Sequence, residues 1–106
     1  NGKETLVVGE SVGGGNILVT NVNGLAVQFT GDYPTLIVRH SDQPGVINMV
    51  TLILAKEQIN VAFMRVFRQG RRGDACMVIE SDTPVNERVR QLIKDWCEPV
   101  TEVFTV

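Results

Sequence analysis

Tyr33-Pro-Thr-Leu-Ile-Val-Arg-His-Ser-Asp-Gln-Pro-Gly-Val-Ile-Asn-Met-Val50 changes its hydrophobic period halfway along. Up to Arg39 the run is short, β-branched and preceded by Gly31-Asp32, which predicts a strand. From Val46 onward the apolar residues Val46, Ile47, Val50, Ile53 and Leu54 fall on one face at helical spacing, which predicts a helix from about Pro44 to Gln58. Between the two lies a polar elbow, His40 to Gly45. Pro44 suits a first helical position, where a missing N–H costs nothing, and Gly45 lets another group approach the backbone closely. A helix N-terminus at such an elbow offers unpaired N–H groups and the positive end of the helix dipole, so it attracts a carboxylate or a phosphate. A small amino acid would suit it, with its carboxylate on the amides of Gly45, Val46 and Ile47 and its ammonium on Asp42. The plainer reading is that Asp42 or Ser41 caps the helix and His40 merely ends a strand.

Outward from this stretch the elements alternate regularly. Ile59-Asn60 closes the first helix, and Val61 to Arg68 reads as a second strand. Gln69 to Gly73 is a glycine-bearing hairpin loop leading to a third strand, Ala75 to Glu80. Ser81-Asp-Thr-Pro84 supplies cap residues before a proline, so a second helix is expected to begin there, with Val85, Val89, Leu92, Ile93 and Trp96 on one stripe. Pro99 stops it and Val100 to Val106 forms a last strand. The order β-α-β-β-α-β predicts an α+β, ferredoxin-like domain with two helices over one face of a four-stranded antiparallel sheet. The helix-covered face should carry Leu36, Val38, Ala62, Met64, Val66, Ala75, Met77 and Ile79. Ile37, Arg39, Phe63, Arg65, Phe67, Cys76, Val78 and Glu80 should lie on the other, a face apolar enough to need cover from a partner or from the rest of a parent protein.

Residues 1–32 stand outside that pattern. Asn16 to Val22 and Leu25 to Phe29 flank Asn23-Gly24, a strong hairpin signal. The Gly13-Gly14-Gly15 run before it lacks the Lys-Ser/Thr and the helix of a phosphate loop and reads as a strand-to-strand connection. We divide the chain into a β segment from a preceding domain plus linker, 1–32, and the regulatory-type domain, 33–106. The start at asparagine, almost inside a strand pattern, suggests a piece of a longer polypeptide.

Composition narrows the function. A chain of 106 residues with 43% hydrophobic and 21% charged residues can bury a modest core. A net charge of -2 gives no reason to expect nucleic acid, and Arg65, Arg68, Arg71 and Arg72 read as a solvated hairpin tip. No apolar run approaches the roughly twenty residues of a membrane span. Cys76 and Cys97 are too distant for a C-x-x-C unit and one histidine cannot complete a zinc set, so both are expected as free thiols in a cytoplasmic protein. No Ser-His-Asp set or paired-carboxylate cleft is recognisable, so the chain is expected to be non-catalytic.

Asp42-Gln-Pro-Gly-Val-Ile47, then Ile59-Asn-Val-Ala-Phe-Met-Arg-Val66, then a glycine hairpin and Ala75-Cys-Met-Val-Ile-Glu80 together resemble the ACT domains, a family of amino-acid-sensing modules. The likeness covers Tyr33 to Val106. Glu10 to Ile17, the Asn-Gly hairpin and Thr30 to Thr35 are more similar to the C-terminal part of the beta subunit of iron-sulfur L-serine dehydratases than to the regulatory domain of D-3-phosphoglycerate dehydrogenase. The resemblance implies an effector, L-serine first, held by His40 and by Asn60 at the opening of the second strand. Asp42 stands where the dehydrogenases carry asparagine. It also implies a dehydratase alpha subunit as partner and a [4Fe-4S] cluster in that alpha subunit, with no cofactor in this chain. A homodimer is expected on other grounds, from apolar surface that one small domain cannot cover, through a sheet edge or the Phe63/Phe67 face. A ligand-free dimerisation module is the third possibility.

Overall fold

A computed structural model describes residues 7–12, 16–22, 25–29, 32–68 and 73–106. The triple-glycine connection, the Asn23-Gly24 turn and the Gln69 to Arg72 loop lie outside the described residues. Strands β1 (Val7–Val12), β2 (Asn16–Val22) and β3 (Leu25–Phe29) form an antiparallel sheet in that order. There follow β4 (Thr35–Ser41), α1 (Val46–Lys56), β5 (Val61–Arg68), β6 (Asp74–Ser81), α2 (Glu87–Trp96) and β7 (Val100–Thr105). These four strands build a second sheet in the order β5-β6-β4-β7, antiparallel throughout. The order is the ferredoxin-like one, with β5 and β7 as the outer strands.

Strand alternation divides the second sheet into two apolar faces. Leu36, Val38, Met77 and Ile79 meet Val46, Val50 and Leu54 from α1 and Val89 and Ile93 from α2, all buried. Each such side chain contributes about 1.5–3 kcal/mol on full burial. On the other face Ile37, Cys76 and Val78 are buried beneath Val27 and Phe29 of β3, with Phe67 and Phe104 packed alongside. The cover expected for this face thus comes in part from the chain's own N-terminal segment.

Four local expectations need correction. Ala62 is exposed, because the register slips between Val61 and Phe63; the extra residue of the bulge lets Val61 take the core position. Helix α1 starts at Val46, two residues after Pro44, because Gly45 is its N-cap in the left-handed region at φ 89°. Among the described residues this is the glycine whose positive φ uses the freedom a missing Cβ gives. Helix α2 starts at Glu87 and not near Pro84, since Asn86 is the cap and its side chain accepts from the Val89 amide at 3.0 Å. Finally, the apolar stripes are wider than the faces they bury: Ile47 is 45% exposed and Trp96 72%.

Candidate functional site

The elbow is pinned on both sides of β4. The Ser41 amide donates to the Pro99 carbonyl at 2.9 Å and the Asp42 amide to the Gly73 carbonyl at 3.0 Å. His40 lies just inside, 2% exposed, on the face it shares with Leu36 and Val38. Its Nδ1 is 2.9 Å from the Ser41 carbonyl oxygen. A carbonyl can only accept, so Nδ1 carries the hydrogen, and in the neutral imidazole Nε2 is then the acceptor. That Nε2 atom is buried and has no hydrogen-bond partner. A buried polar atom left unmatched costs roughly 1–3 kcal/mol, so an occupant that donates to it would recover part of that loss.

Beyond the elbow, α1 begins without a side-chain cap, and its first turn holds no acidic residue. The Gly45 carbonyl accepts from the Met49 amide at 3.0 Å, while the amides of Val46, Ile47 and Asn48 belong to the first turn, whose donors no i−4 carbonyl can satisfy. The Val46 side chain is buried in the core and that of Ile47 is exposed, so both can serve a ligand only through the backbone. The capping alternative for Asp42 and Ser41 is therefore excluded by the geometry. Asp42 instead accepts through Oδ2 from Arg68 Nε at 2.7 Å, with a second guanidinium nitrogen also at 2.7 Å. Arg68, expected on a solvated tip, thus closes one side of the elbow. Arg65 also departs from that reading, its guanidinium lying 5.6 Å from the Phe63 ring centroid and 5.9 Å from that of Phe67.

Asn60 does not join this set within one chain. It precedes Val61, whose register partner is Ser81, whereas Ser41 at the elbow pairs with Asp74 at the other end of β6. Strand rise puts the two ends roughly 20 Å apart. Asn60 there donates through Nδ2 to Asp82 Oδ2 at 2.7 Å, and its carbonyl accepts from the Asp82 amide at 3.1 Å. His40, Asp42, Gly45, Val46 and Ile47 are brought together; Asn60 is not.

Among the described residues no group of three or more His, Cys, Asp and Glu could hold a metal ion. The two cysteines are free thiols in separate cores, Cys97 on the helix side and Cys76 on the opposite face. They cannot jointly ligate a [4Fe-4S] cluster, which needs thiolates gathered at one point. Burial pushes the Cys76 thiol up to about 11, against the opposing pull of the Arg39 guanidinium, with Glu102 adding to the rise. Burial raises Cys97 as well. Neither is poised as a nucleophile. No described helix is long and apolar enough to cross a membrane.

Sequence reasoning missed Arg68 and the Gly73 carbonyl as parts of the elbow. The available signal was the hairpin itself: closing β5 onto β6 returns the chain to the end of β4, so residues flanking the loop must border it.

Comparison with known proteins agrees with this architecture. The profile of the AHAS small subunit-like ACT domain matches residues 36–97. The chain is 31% identical over 93 residues to the L-serine dehydratase beta chain of Peptoniphilus asaccharolyticus, covering 88% of this chain and 42% of that protein. It is 37% identical over 86 residues to the probable L-serine dehydratase beta chain of Bacillus subtilis, covering 81% and 39%. It is also 33% identical over 78 residues to D-3-phosphoglycerate dehydrogenase of Methanocaldococcus jannaschii, covering 74% and 15%. The chain thus spans about two fifths of the length of the dehydratase chains it matches.

Proposed function

This chain belongs to the ACT-domain family, and on that premise we propose that it is the regulatory and assembly domain of an L-serine dehydratase beta chain, sensing a small amino acid, L-serine first. The observation that carries the reading is the elbow: an uncapped helix N-terminus beside a buried histidine whose Nε2 has no partner. The amides of Val46 and Ile47 take the effector carboxylate, and the lone pair of His40 Nε2 takes a donor. Asp42 takes the ammonium, sharing its carboxylate with Arg68. Charge-assisted hydrogen bonds of this kind contribute about 1.5–3 kcal/mol each. Catalysis and the [4Fe-4S] cluster belong, in this proposal, to a dehydratase alpha subunit. The effector adjusts activity instead of switching it outright, since coupling between sites is typically about 1–3 kcal/mol.

Asn60 enters through a second copy. Arg68 ends β5 and touches Asp42, so two outer β5 strands paired antiparallel about a two-fold axis would bring the partner subunit's Asn60 to the elbow. The dehydratase reading is preferred to a dehydrogenase regulatory domain because its alignment covers 88% of this chain against 74%. The test is calorimetry and chemical-shift mapping with L-serine, D-serine and glycine on wild type, Asp42→Ala and Asn60→Ala. L-serine should bind wild type and lose about tenfold or more in each variant, the loss of one charge-assisted bond. If millimolar L-serine perturbs nothing near His40 and Asp42 in a sample shown to be dimeric, the sensing role is wrong and assembly alone remains.

A further inference from the structure

Helix α1 carries no charged residue from Val46 to Ala55, and it has more apolar side chains than its core side uses. Val46, Val50 and Leu54 serve the core. On the side turned to α2, Met49 remains 36% exposed and Leu52 51% exposed, facing Leu92 and the 72% exposed Trp96 across a groove. The groove encloses about 410 Å³ and reaches down to buried Cys97. That volume lies within the roughly 300–1,000 Å³ of small-molecule sites, and so does the character of its lining, mostly apolar with a few polar groups.

Two charged residues line it, Lys56 and Glu57. The Glu57 carboxylate, just past the end of α1, is paired with Arg88 of α2. Lys56 has no ion-pair partner among the described residues. A second copy laid groove to groove would present the same lining, whose one acid is already paired, and so would offer Lys56 nothing. The lining, apolar with one exposed lysine unpaired among the described residues, suits an apolar body with a single anion.

We propose that the groove between α1 and α2 is a second ligand site, which takes a small amphipathic carboxylate with its apolar part against Met49, Leu52, Leu92 and Trp96 and its carboxylate at Lys56. The site is separate from the elbow, although α1 forms a wall of one and the N-terminus of the other.

Trp96 is the chain's single tryptophan and therefore reports on the groove directly. The experiment titrates the chain with octanoate, 1-octanol and acetate while following tryptophan emission. Octanoate should give a saturable blue shift, 1-octanol a weaker one and acetate none. Lys56→Met should weaken octanoate about two- to fivefold, the strength of an exposed ion pair, and leave 1-octanol unchanged. Leu52→Asp, at an exposed position, should abolish both shifts with circular dichroism unaltered; if that variant does not fold, Met49→Gln takes its place. No saturable shift with octanoate overturns the proposal, as does equal binding by wild type and a folded Leu52→Asp or Met49→Gln variant. Emission that shifts blue with protein concentration alone, before any ligand, also overturns it, since a second copy then occupies the groove.

Discussion

His40 and Cys76 show how differently a buried polar group can be managed one strand apart. The imidazole has one nitrogen satisfied by the Ser41 carbonyl and one buried without a partner, an arrangement that leaves a cost a donor reaching it would relieve. The Cys76 thiol is sealed beneath Val27 and Phe29 and pushed up to about 11 by that burial. Its pH dependence follows. Below the ordinary thiol value of 9.0 both folded and unfolded chains keep the proton, and the contribution is full. As pH rises from 9.0 toward about 11 the unfolded chain releases its proton and the folded chain does not, so stability falls. The size is about 2–3 kcal/mol over that interval, at one pKa unit per roughly 1.4 kcal/mol. Urea unfolding at about pH 8 and about pH 10.5 should show the loss, and Cys76→Val should remove it while leaving the smaller contribution of Cys97, whose thiol burial also raises. Equal pH slopes for the two proteins would mean that Cys76 is not sealed. The residue scale is also where the sequence was least legible: Asp42 was visible as an acid at an elbow, but nothing in its neighbourhood disclosed that Arg68, twenty-six positions on, would occupy it.

Elements were easier to read than their ends. Strand β5 coincides with the expected Val61 to Arg68, and the β-α-β-β-α-β order stands, because period-2 and helical patterns depend on many residues at once. Helix starts depend on one or two dihedral angles. Pro44 and Ser81 looked like the beginnings of helices, yet Gly45 at φ 89° and the Asn86 cap begin them later. The slip at Ala62 was hidden for a similar reason, since a bulge leaves the composition of a strand unchanged. Gly45 supplies the prediction at this scale. Nothing lies within 4 Å of the position a Cβ would take, so Gly45→Ala meets no clash and isolates the strain of the left-handed backbone. The variant should lose about 1–2 kcal/mol in urea unfolding. It should also bind L-serine more weakly, as the strained turn relaxes and the first-turn amides shift. A Gly45→Ala chain as stable as wild type would show that the turn does not need a positive φ.

At the scale of the molecule, β3 explains why the far face of the second sheet tolerates Ile37, Cys76 and Val78, and it leaves Phe63 41% exposed on the outer strand β5. An outer strand with unpaired backbone groups and an exposed phenylalanine is a natural place for another strand to add. Under the proposed function, the separation of Asn60 from the elbow would give this edge a role in the site. If β5 of a second copy pairs with it antiparallel, each elbow gains an asparagine that its own chain places roughly 20 Å away, and an effector bound there touches two subunits. Affinity would then depend on assembly by mass action, with dilution weakening both together. Sedimentation at high micromolar concentration should therefore give a dimer, and hydrogen exchange should find β5 amides protected in spite of their edge position. Both signals should fade on dilution. L-serine should shift the equilibrium toward the dimer in wild type, while Asn60→Ala should still dimerise and need about tenfold or more L-serine for the same shift. A chain that stays monomeric at high micromolar concentration, or one whose L-serine affinity is independent of protein concentration, would rule out a site shared between two copies.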